Sequence, residues 1–466
     1  MMAEIGKWIS RADAFLWGPP LLILLLGTHL FYTFRLRLVQ KYLGDAFKVL
    51  MERDKRMKGN VSPFAALAVA LASTIGTGNI VGVATAVCMG GPGAVFWCMV
   101  TGLFGMSTKY AESLLAVKYR VRDRNGEVHG GPMYTILRGL KWRWMAVFFS
   151  VAAAIAVLGT GNLVQTNAIA GIIHKTFEVP NWISGVVLAI MVALVIIGGL
   201  QTIAKVCTCM VPLMSAVYLA GCVTLLVINR ACLWDSVKLI FECAFTAKAI
   251  AGGAAGYGMM LAARYGIARG LFSNEAGMGS EPIVAATAKT RNAVRQGLVS
   301  YTGTFCTIVI CAMTGLVLVS SLLANPAKVN LNNKDILTQV CFEQIPCSGK
   351  YILAFAIFAF ASTTVLGWFY YGEQCIRFLA NRKWVLNGYK IVYILFAFLG
   401  AIGSLSIVWD FADLANGLMV IPNVISLLLL HKVVVGETRK YLWSGRLDED
   451  DPVCTGRALA SEEKQQ

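Results

Sequence analysis

Charged residues are scarce in this chain of 466 residues. Asp, Glu, Lys and Arg make up 14% of it, whereas typical soluble domains contain about 25%. Hydrophobic residues make up 57%, and the mean hydropathy is +0.66. A water-soluble fold of this size needs far more polar surface than this composition supplies. The composition therefore excludes a soluble globular protein and indicates an all-α polytopic membrane protein.

Groupings of residues that perform catalysis or bind structural metals are also missing. The four histidines are isolated from one another, and neither a His-Glu-x-x-His motif nor a Ser–His grouping occurs. Cys207 and Cys209 are close in sequence, but no second pair follows at the spacing of a zinc site. We therefore predict that the protein is not an enzyme. Cys341 and Cys347 fall in a polar loop, where their spacing leaves a disulfide open.

Apolar runs long enough to cross a bilayer, about 20 residues each, recur along the whole chain. Between the first two runs, residues 35–60 alternate apolar and basic positions, which is typical of an amphipathic helix on the membrane surface. The pattern predicts about eleven membrane helices, near residues 16–38, 64–88, 92–117, 145–173, 182–200, 206–228, 252–292, 298–323, 350–380, 389–408 and 412–431.

The helices after the first fall into two blocks of five, each opened by a helix that is rich in glycine. An odd number of helices makes the second block run in the opposite direction, as in transporters built from inverted repeats. We expect four regions: an extra N-terminal helix and amphipathic segment (1–60), the two repeats (61–230 and 231–432), and a cytoplasmic tail (433–466) that is poorly ordered from Gly436 onward.

Lys and Arg are unevenly distributed between the predicted loops. The loops at 35–58 and 118–143 carry eight and seven of them, whereas 229–250 and 324–350 are much poorer. Basic loops remain on the cytoplasmic side, so we expect a cell-membrane protein with its N-terminus outside and its C-terminus in the cytoplasm. The net charge of +16 is then explained by these loops, without a role in binding nucleic acid.

The first interrupted helix contains Ser73–Gly82, with three glycines and several small polar residues in mid-span. Such a run weakens a helix, and the backbone groups it frees must line a cavity or bind a ligand in the membrane. Freed carbonyls suit a hard cation, and the start of the following half-helix suits a carboxylate. Close helix packing through small residues is the alternative explanation.

The second interruption, Phe272–Pro282, opens the second block. Two broken helices at matching places in two repeats indicate a central transport site. Charges here are functional candidates: for Arg269 and Glu275, a structural ion pair and a gating or coupling role both remain open. Glu112 is expected to pair with Lys109 or with a loop arginine.

Polar residues recur at two more positions in apolar helices. Ser362, Thr363 and Thr364 can hydrogen-bond back to their own helix or supply oxygen ligands to a monovalent cation. Gln165 follows a second Gly-Thr-Gly-Asn run at 159–162. A buried glutamine in a membrane helix needs partners, which are either another helix or a substrate.

Several blocks of residues at fixed spacing along the chain form a recognisable set. They are Gly76–Ala84, Gly90–Trp97, Phe104–Met106, Thr108–Tyr110 with Glu112, Gly130–Tyr134, Arg269–Ser280, and Gly367–Trp368 with Tyr370–Glu373. Together, over about residues 60–430, they resemble the alanine/glycine:cation (sodium) symporter family. The resemblance implies the five-plus-five inverted-repeat fold of the sodium-coupled leucine transporter, preceded by one extra helix.

The resemblance also implies uptake of a small neutral amino acid, alanine or glycine, with Na⁺ as the coupling ion. In such proteins the first break meets the substrate carboxylate, the second break meets the amine, and side chains wall the pocket. Carried over, the substrate set is Thr74, Thr77, Gly78, Gln165, Phe272, Ser273, Asn274, Gly277, Met278 and Trp368.

The same resemblance implies a sodium site made of two carbonyl oxygens and two hydroxyls. These belong to Ala72 and Ile75, and to Thr363 and Thr364, while Asn79 is a candidate for a second ion. Glu281 departs from the family pattern, in which a small residue or histidine is expected nearby. Its role is left open by the sequence.

We therefore predict a sodium-coupled symporter that needs only its substrate, Na⁺ and the lipid bilayer, without an obligate protein partner. One Na⁺ moving down a 100 mV potential supplies about 2.3 kcal/mol, and a zwitterion is not opposed by the field. The alternative is a proton-coupled amino-acid symporter that uses Glu275 or Glu281. An intramembrane enzyme and an ion channel are the rivals from other classes.

Overall fold

The computed structural model describes most of the chain. The described residues are 16–17, 19–52, 59–123, 126–246, 258–329, 331, 337–403 and 405–455. Parts of four predictions lie outside them: the start of the N-terminal region, residues 53–58 of the amphipathic segment, residues 252–257 of the seventh helix, and residues 456–466 of the tail.

Helices make up almost all of the described structure. Those before residue 180 are α1 (Pro19–Arg35), α2 (Leu43–Met51), α3 (Pro63–Thr74), α4 (Val83–Gly90), α5 (Gly93–Lys118), α6 (Pro132–Thr135), α7 (Arg143–Leu158) and α8 (Val164–Phe177). Short π-helical turns occupy Gly78–Gly82, Ile136–Leu140 and Gly159–Leu163. A 3-10 turn at Val39–Tyr42 precedes α2.

The helices after residue 180 are α9 (Asn181–Ile197), α10 (Gly199–Ile228), α11 (Leu233–Phe245), α12 (Gly258–Asn274), α13 (Pro282–Ala285), α14 (Ala293–Ala324), α15 (Leu337–Phe342), α16 (Gly349–Leu379), α17 (Lys383–Ile402), α18 (Leu405–Leu429), α19 (His431–Thr438) and α20 (Pro452–Thr455). A 3-10 turn at Arg230–Cys232 and a π-helical turn at Arg439–Trp443 complete them. A short hairpin pairs β1 (Val121–Arg122) antiparallel with β2 (Val128–His129).

Several described helices are long and apolar enough to cross a membrane. The single stretches are Arg143–Phe177, which joins α7 and α8, and Gly199–Ile228, Ala293–Ala324, Gly349–Leu379 and Lys383–Ile402. Three further pairs pass the same test but are bent, so that five spans become up to eight if each pair is one span. The predicted total of eleven therefore stays a prediction, whereas a multi-pass helical membrane protein agrees with this architecture.

Local sequence explains where important helices begin. Ser62 accepts a hydrogen bond from the backbone N–H of Ala65, and Pro63 follows as the first residue of α3. Asn292 accepts one from the N–H of Arg295 at the start of α14. A short polar side chain before a helix satisfies an N–H group that has no partner inside the helix, and proline suits the first helical position because it lacks an N–H group.

Helix α5 lies among α1, α4, α11, α12 and α14, and small residues allow this close packing. A β-carbon at Gly266 of α12 would lie 2.5 Å from the carbonyl oxygen of Ala94, and one at Gly270 would lie 3.0 Å from that of Cys98. Glycines one turn apart let membrane helices approach along their backbones.

Helix α3 packs against α10, α14 and α16. The neighbouring helices pack pairwise, α9 against α17 and α7 against both α16 and α18. The broken end of α3 is therefore enclosed by helices from distant parts of the sequence. This enclosure positions the site described below.

The C-terminal segment was predicted to be poorly ordered from Gly436 onward. This prediction is wrong for residues 436–455, which contain the end of α19, the π-helical turn Arg439–Trp443 and α20. Arg295 forms ion pairs with Asp448 and with Glu52. The Arg120 guanidinium donates to the carbonyl oxygens of Ala286 (3.0 Å) and Cys454 (2.9 Å). These contacts order a polar segment that lacks an apolar run of its own. Cys341 and Cys347, whose pairing was left open, are both free, the first buried and the second exposed.

The α5–α12 packing predicts that Gly266→Leu destabilises the protein strongly. A side chain there has to displace the backbone of α5, and overpacking of this kind costs about 1–3 kcal/mol. Gly171→Leu in α8 is the matched control, because a β-carbon there meets no atom within 4 Å. The thermal unfolding midpoint in detergent should fall for Gly266→Leu and stay near the parent value for the control. Equal midpoints would contradict the close approach of the two helices.

Candidate functional site

The first helix break lies where the sequence predicts it. Helix α3 ends at Thr74, and Ile75 leaves the helical conformation with φ −84° and ψ 88°. The chain resumes in the π-helical turn Gly78–Gly82, at an angle of 52° between Pro63–Thr74 and Gly78–Gly90. Single π-helical turns are frequent at functional sites because they release backbone groups from regular pairing.

Gln165 holds the backbone of this break from a second helix. Its Oε1 accepts hydrogen bonds from the Thr77 backbone N–H (3.4 Å) and the Thr77 hydroxyl (3.2 Å). Its Nε2 donates to the carbonyl oxygen of Thr160 at 3.1 Å. Gln165 is 2% exposed, and it follows the π-helical turn Gly159–Leu163. Both Gly-Thr-Gly-Asn runs of the sequence thus lie at irregular turns, and Gln165 joins them.

Two glycines in the break allow neighbouring side chains to come close. A β-carbon at Gly76 would lie 2.8 Å from the Thr364 Oγ1 and 3.2 Å from the Gln165 Oε1. One at Gly78 would lie 3.2 Å from the Phe272 ring. The ring of Phe272, from the end of α12, therefore covers Gly78 directly. The two broken helices meet at this contact.

The predicted sodium ligands are partly brought together. The Thr364 Oγ1 lies 2.9 Å from the carbonyl oxygens of both Ala72 and Phe360. A hydroxyl has a single hydrogen, so it cannot donate fully to both acceptors. The Thr363 Oγ1 likewise lies 3.0 Å from each of the carbonyl oxygens of Ala359 and Phe360, which share its single hydrogen. Thr364 thus contacts the end of α3, whereas the hydrogen bonds of Thr363 lie within its own helix, apart from a contact with Met214.

The donor set around Ala72 suits a small hard cation. The Ala72 carbonyl and the Thr364 hydroxyl are neutral oxygens with spare lone pairs, and both residues are fully buried. Monovalent hard cations prefer oxygen ligands. The neighbouring Ile75 has a non-helical ψ, which turns its carbonyl away from the axis of α3. These residues fit a Na⁺ ion chemically, with Thr363 the least directly placed of the four.

Trp368 packs on the same segment from α16. Its indole N–H donates to the carbonyl oxygen of Ser73 at 3.1 Å. A β-carbon at Gly161 would overlap the Trp368 side chain, so the indole lies directly against the second Gly-Thr-Gly-Asn turn. Thr74, a predicted substrate ligand, instead donates to the carbonyl oxygen of Ala70 at 2.9 Å. Its hydroxyl is therefore engaged within α3.

The second break also begins where predicted. Helix α12 ends at Asn274, and the next helical residue is Pro282. Between them Glu275, Gly277 and Gly279 have positive φ of 52°, 87° and 81°. These left-handed residues reverse the chain tightly, and glycine adopts them without strain. The last carbonyls of α12 are left at the end of a helix, where the backbone dipole is negative.

The predicted residues of the second break divide into two groups. Phe272 faces Gly78, and the hydroxyl of Ser273 lies 3.1 Å from the thiol of Cys311 in α14. Asn274 instead faces α5, where its Nδ2 would lie 3.3 Å from a β-carbon at Gly105. Gly277 faces α1, and Met278 is 1% exposed in the core. Phe272 and Ser273 therefore lie on the side of the first break, whereas Asn274 and Gly277 face α5 and α1.

Asn79, the weaker sodium candidate, is fully buried. Neither polar atom of its amide has a nitrogen or oxygen partner among the described residues, and the nearby thiol of Cys311 is only a weak hydrogen-bonding group. Buried amides are normally paired, so an unpaired one indicates a missing partner such as a ligand or an ion. This feature makes Asn79 a stronger candidate than its position in the sequence suggests.

A cluster of buried charges, which we call the second-break cluster, was not predicted as a unit. It consists of Lys109 and Glu112 from α5 and Glu275 and Glu281 from the second break. The Lys109 ammonium lies 2.9 Å from the Glu281 Oε2 and donates to the Glu275 carbonyl oxygen at 3.2 Å. Ser280 donates its hydroxyl to the Glu275 Oε2 at 2.6 Å. The sequence signal was a lysine and a glutamate one turn apart in an apolar helix.

The partner of Glu112 differs from the expectation. Its Oε1 accepts the backbone N–H of Gly279 (3.1 Å) and the Nδ2 of Asn423 (2.6 Å), whereas Lys109 forms its ion pair with Glu281. Arg269, whose role was left open, places its guanidinium 5.8 Å from the centre of the Phe272 ring. The carboxylate of Glu275 is held by Ser280.

Residues 2–455 match the sodium:alanine symporter family. The chain belongs to this family. It is 46% identical over 442 residues to the sodium/alanine symporter AgcS of Methanococcus maripaludis, and the match covers 93% of this chain and 96% of that protein. The resemblance inferred from the sequence blocks is confirmed. Members of this family are membrane transporters, which also confirms that the protein is not an enzyme.

Solved structures of low sequence identity share the fold. MhsT, in complex with L-phenylalanine, has a TM-score of 0.58 at 13% identity and covers 80% of this chain and 89% of its own. A substrate-bound Na⁺-coupled sialic acid symporter has a TM-score of 0.55 at 12% identity, with 91% and 98% covered. This chain therefore has the leucine-transporter fold.

The turn of the second break predicts that Gly279→Ala is strongly destabilising. A β-carbon there would lie 2.7 Å from Pro132 and 2.9 Å from Asn423, and φ of 81° is itself unfavourable for alanine. The contact and the backbone together should cost about 2–4 kcal/mol. Gly445→Ala is the matched control, because φ is 72° and a β-carbon meets no atom within 4 Å. A thermal midpoint for Gly279→Ala no lower than that of Gly445→Ala would show that the turn tolerates a side chain, against this expectation.

Proposed function

We propose that the protein carries a small neutral amino acid, alanine or glycine, into the cell together with Na⁺. Membership of the sodium:alanine symporter family supports sodium and alanine in general terms. The observation that carries the proposal is the meeting of the two breaks, where Phe272 covers Gly78 beside the Thr77–Gln165 hydrogen bonds. A zwitterion needs hydrogen-bond donors for its carboxylate and acceptors for its amine. The first break offers backbone N–H donors, and the end of α12 offers carbonyl acceptors.

The carboxylate would bind at the first break. The N–H groups of Thr77 and Gly78 begin the second half of a helix, and a helix start attracts anions through its free N–H groups and dipole. In this structure the Gln165 oxygen accepts the Thr77 N–H and hydroxyl. We infer that a substrate carboxylate takes the place of that oxygen, so that Gln165 can turn its amide N–H towards the substrate.

The amine would bind at the end of α12. The carbonyl groups of Phe272 and Ser273 lie at a helix C-terminus, whose partial negative charge attracts an ammonium. Trp368 and Met278 would bound the space for the side chain. A space bounded by an aromatic and a sulfur-containing side chain in a packed core would favour substrates as small as alanine or glycine.

Sodium would couple to the substrate through the first break. A Na⁺ ion held by the Ala72 and Ile75 carbonyls and the Thr364 hydroxyl would join the end of α3 to α16. When the ion orders this backbone, less free energy is needed to order it for the substrate. Substrate binding lowers the free-energy cost of Na⁺ binding in the same way. Alternating access would then arise as one helix group rocks against the other around this point.

We also propose that the basic loops lie in the cytoplasm, with the N-terminus outside the cell and the C-terminus inside. An inside-negative potential then favours inward movement of Na⁺ with a neutral zwitterion. The leucine-transporter fold supports two five-helix repeats around the site, and the regions 61–230 and 231–432 are our assignment of them.

Uptake into proteoliposomes tests the function. Radiolabelled alanine should accumulate against its gradient when Na⁺ is high outside, and replacement of Na⁺ by choline at constant pH should abolish accumulation. Glycine should compete with alanine, and large amino acids should compete poorly. Accumulation that persists in choline and follows an imposed pH gradient would instead establish the proton-coupled alternative. Ion flow without saturable accumulation would indicate a channel.

Two variants separate the ion site from the substrate site. Thr364→Ala removes a proposed Na⁺ ligand and should raise the Na⁺ concentration for half-maximal uptake by about tenfold or more, equivalent to about 1.4 kcal/mol. Gln165→Ala should alter the competition profile among amino acids more than the Na⁺ dependence. The measurement is uptake against Na⁺ concentration at a fixed potential, with protein amounts matched. Unchanged Na⁺ dependence in Thr364→Ala would remove that residue from the site.

A further inference from the structure

The second-break cluster contains more negative than positive groups. Lys109, Glu112, Glu275 and Glu281 are 0%, 2%, 4% and 2% exposed. One ammonium therefore faces three carboxyl groups, and Lys109 forms the only ion pair with them among the described residues. If every carboxyl group were ionised, the cluster would carry two excess negative charges away from water. Uncompensated buried charges of this kind are strongly unfavourable.

The remaining groups that face the cluster do not supply the missing positive charge. Among the described residues they are His29 and Tyr32 of α1, Trp368 and Tyr371 of α16, and Asn423 of α18. His29 is fully buried, with its Nδ1 2.8 Å from the Thr108 hydroxyl and its Nε2 without a partner among the described residues. The unpaired Nε2 argues against a charged imidazolium, which would need an acceptor at both nitrogens.

The three carboxyl groups are not equivalent. Glu281 forms the ion pair of the cluster, with the Lys109 ammonium 2.9 Å from its Oε2. Glu275 receives the Ser280 hydroxyl at 2.6 Å. Glu112 receives two N–H donors on Oε1, from Gly279 and Asn423, and the backbone N–H of Gly277 also faces this carboxyl group, while its Oε2 is buried without a hydrogen bond among the described residues. Two donors on one oxygen and none on the other is the pattern of a neutral carboxylic acid, whose carbonyl oxygen accepts and whose hydroxyl oxygen does not.

We propose that Glu112 is a proton-binding site whose occupancy is linked to the shape of the second break. A neutral hydroxyl without a partner costs much less than an ionised oxygen without a partner. The same geometry leaves no ring of oxygens around Glu112 for a metal cation among the described residues, because Oε1 is already surrounded by N–H donors. A proton needs only the single free oxygen, so it is the ligand that fits.

The link to the break runs through three hydrogen bonds. Asn423 donates from Nδ2 both to Glu112 and to the carbonyl oxygen of Gly277, at 2.6 and 2.9 Å. Gly279 donates its N–H to the same Glu112 oxygen. If the turn at 277–279 moves, Glu112 loses its donors and its surroundings change. The proton affinity of Glu112 then differs between the two conformations of the turn. By linkage, a change in pH shifts the equilibrium between these conformations. The movement of this turn during a transport cycle rests on the proposed function.

Infrared spectroscopy tests the protonated state without reference to transport. The purified protein in detergent at neutral pH should show the carbonyl stretch of a buried protonated carboxylic acid, and Glu112→Gln should lack that band. Because glutamine has the shape of a neutral glutamic acid, Glu112→Gln should fold with a thermal midpoint close to that of the parent. A band that persists in Glu112→Gln, a parent without the band, or a failure of Glu112→Gln to fold would each overturn the proposal.

Glu281→Gln is the matched control for the folded yield and thermal midpoint of Glu112→Gln. It removes the ionised partner of a fully buried lysine, so it should lose most of its folded yield at neutral pH while Glu112→Gln retains its own. The same isosteric change thus has opposite consequences at two glutamates of one cluster. A Glu281→Gln protein as stable as Glu112→Gln would contradict the assignment of charges.

Alanine uptake against pH tests the link to the break. In proteoliposomes with fixed Na⁺ gradient and potential, parent uptake should fall by about tenfold per pH unit once Glu112 loses its proton, whereas Glu112→Gln should vary by less than about twofold over the same range. Parallel pH profiles in the two proteins would overturn the link. If the parent accumulates no alanine with Na⁺, the proposed function fails, and the infrared result still decides whether Glu112 is protonated.

Discussion

Backbone groups released inside a membrane must be paired again, and this requirement shapes the centre of the protein. Helix α3 stops at Thr74 and α12 stops at Asn274, and hydrocarbon offers no partners for the groups freed there. Gln165 therefore reaches Thr77, Thr364 reaches the Ala72 carbonyl, and Trp368 reaches the Ser73 carbonyl. Each of these side chains comes from another helix. In the proposed mechanism a zwitterion and a cation use the same groups, so their binding would compete with these hydrogen bonds for the same atoms.

The two breaks could be located from the sequence because glycine acts locally. Runs such as Gly76–Gly82 and Gly277–Gly279 weaken any helix that contains them, whatever surrounds it. The contact between Gly78 and Phe272 follows from placing both breaks at the centre of two repeats. Family membership was likewise visible in blocks of residues with fixed spacing. The sequence also predicts about eleven spans and an inverted second repeat, and both remain predictions.

The pairing of buried charges could not be read in the same way, because it joins residues far apart in the chain. Glu112 and Lys109 are one turn apart, so a local argument pairs them, but Lys109 contacts Glu281 and Glu112 contacts Asn423. Those partners depend on how α5, α18 and the second break pack. The C-terminal segment illustrates the same limit: its polar composition predicts poor order, yet Arg295 and Arg120 hold it through contacts supplied by distant parts of the chain.

A structure determined with alanine and Na⁺ bound tests the central claim most directly. The account predicts a carboxylate within hydrogen-bond distance of the Thr77 and Gly78 N–H groups, with the Gln165 oxygen displaced. It also predicts a cation between the Ala72 carbonyl and the Thr364 hydroxyl. Alanine bound elsewhere, with the Thr77–Gln165 and Thr364–Ala72 hydrogen bonds unchanged, would contradict it.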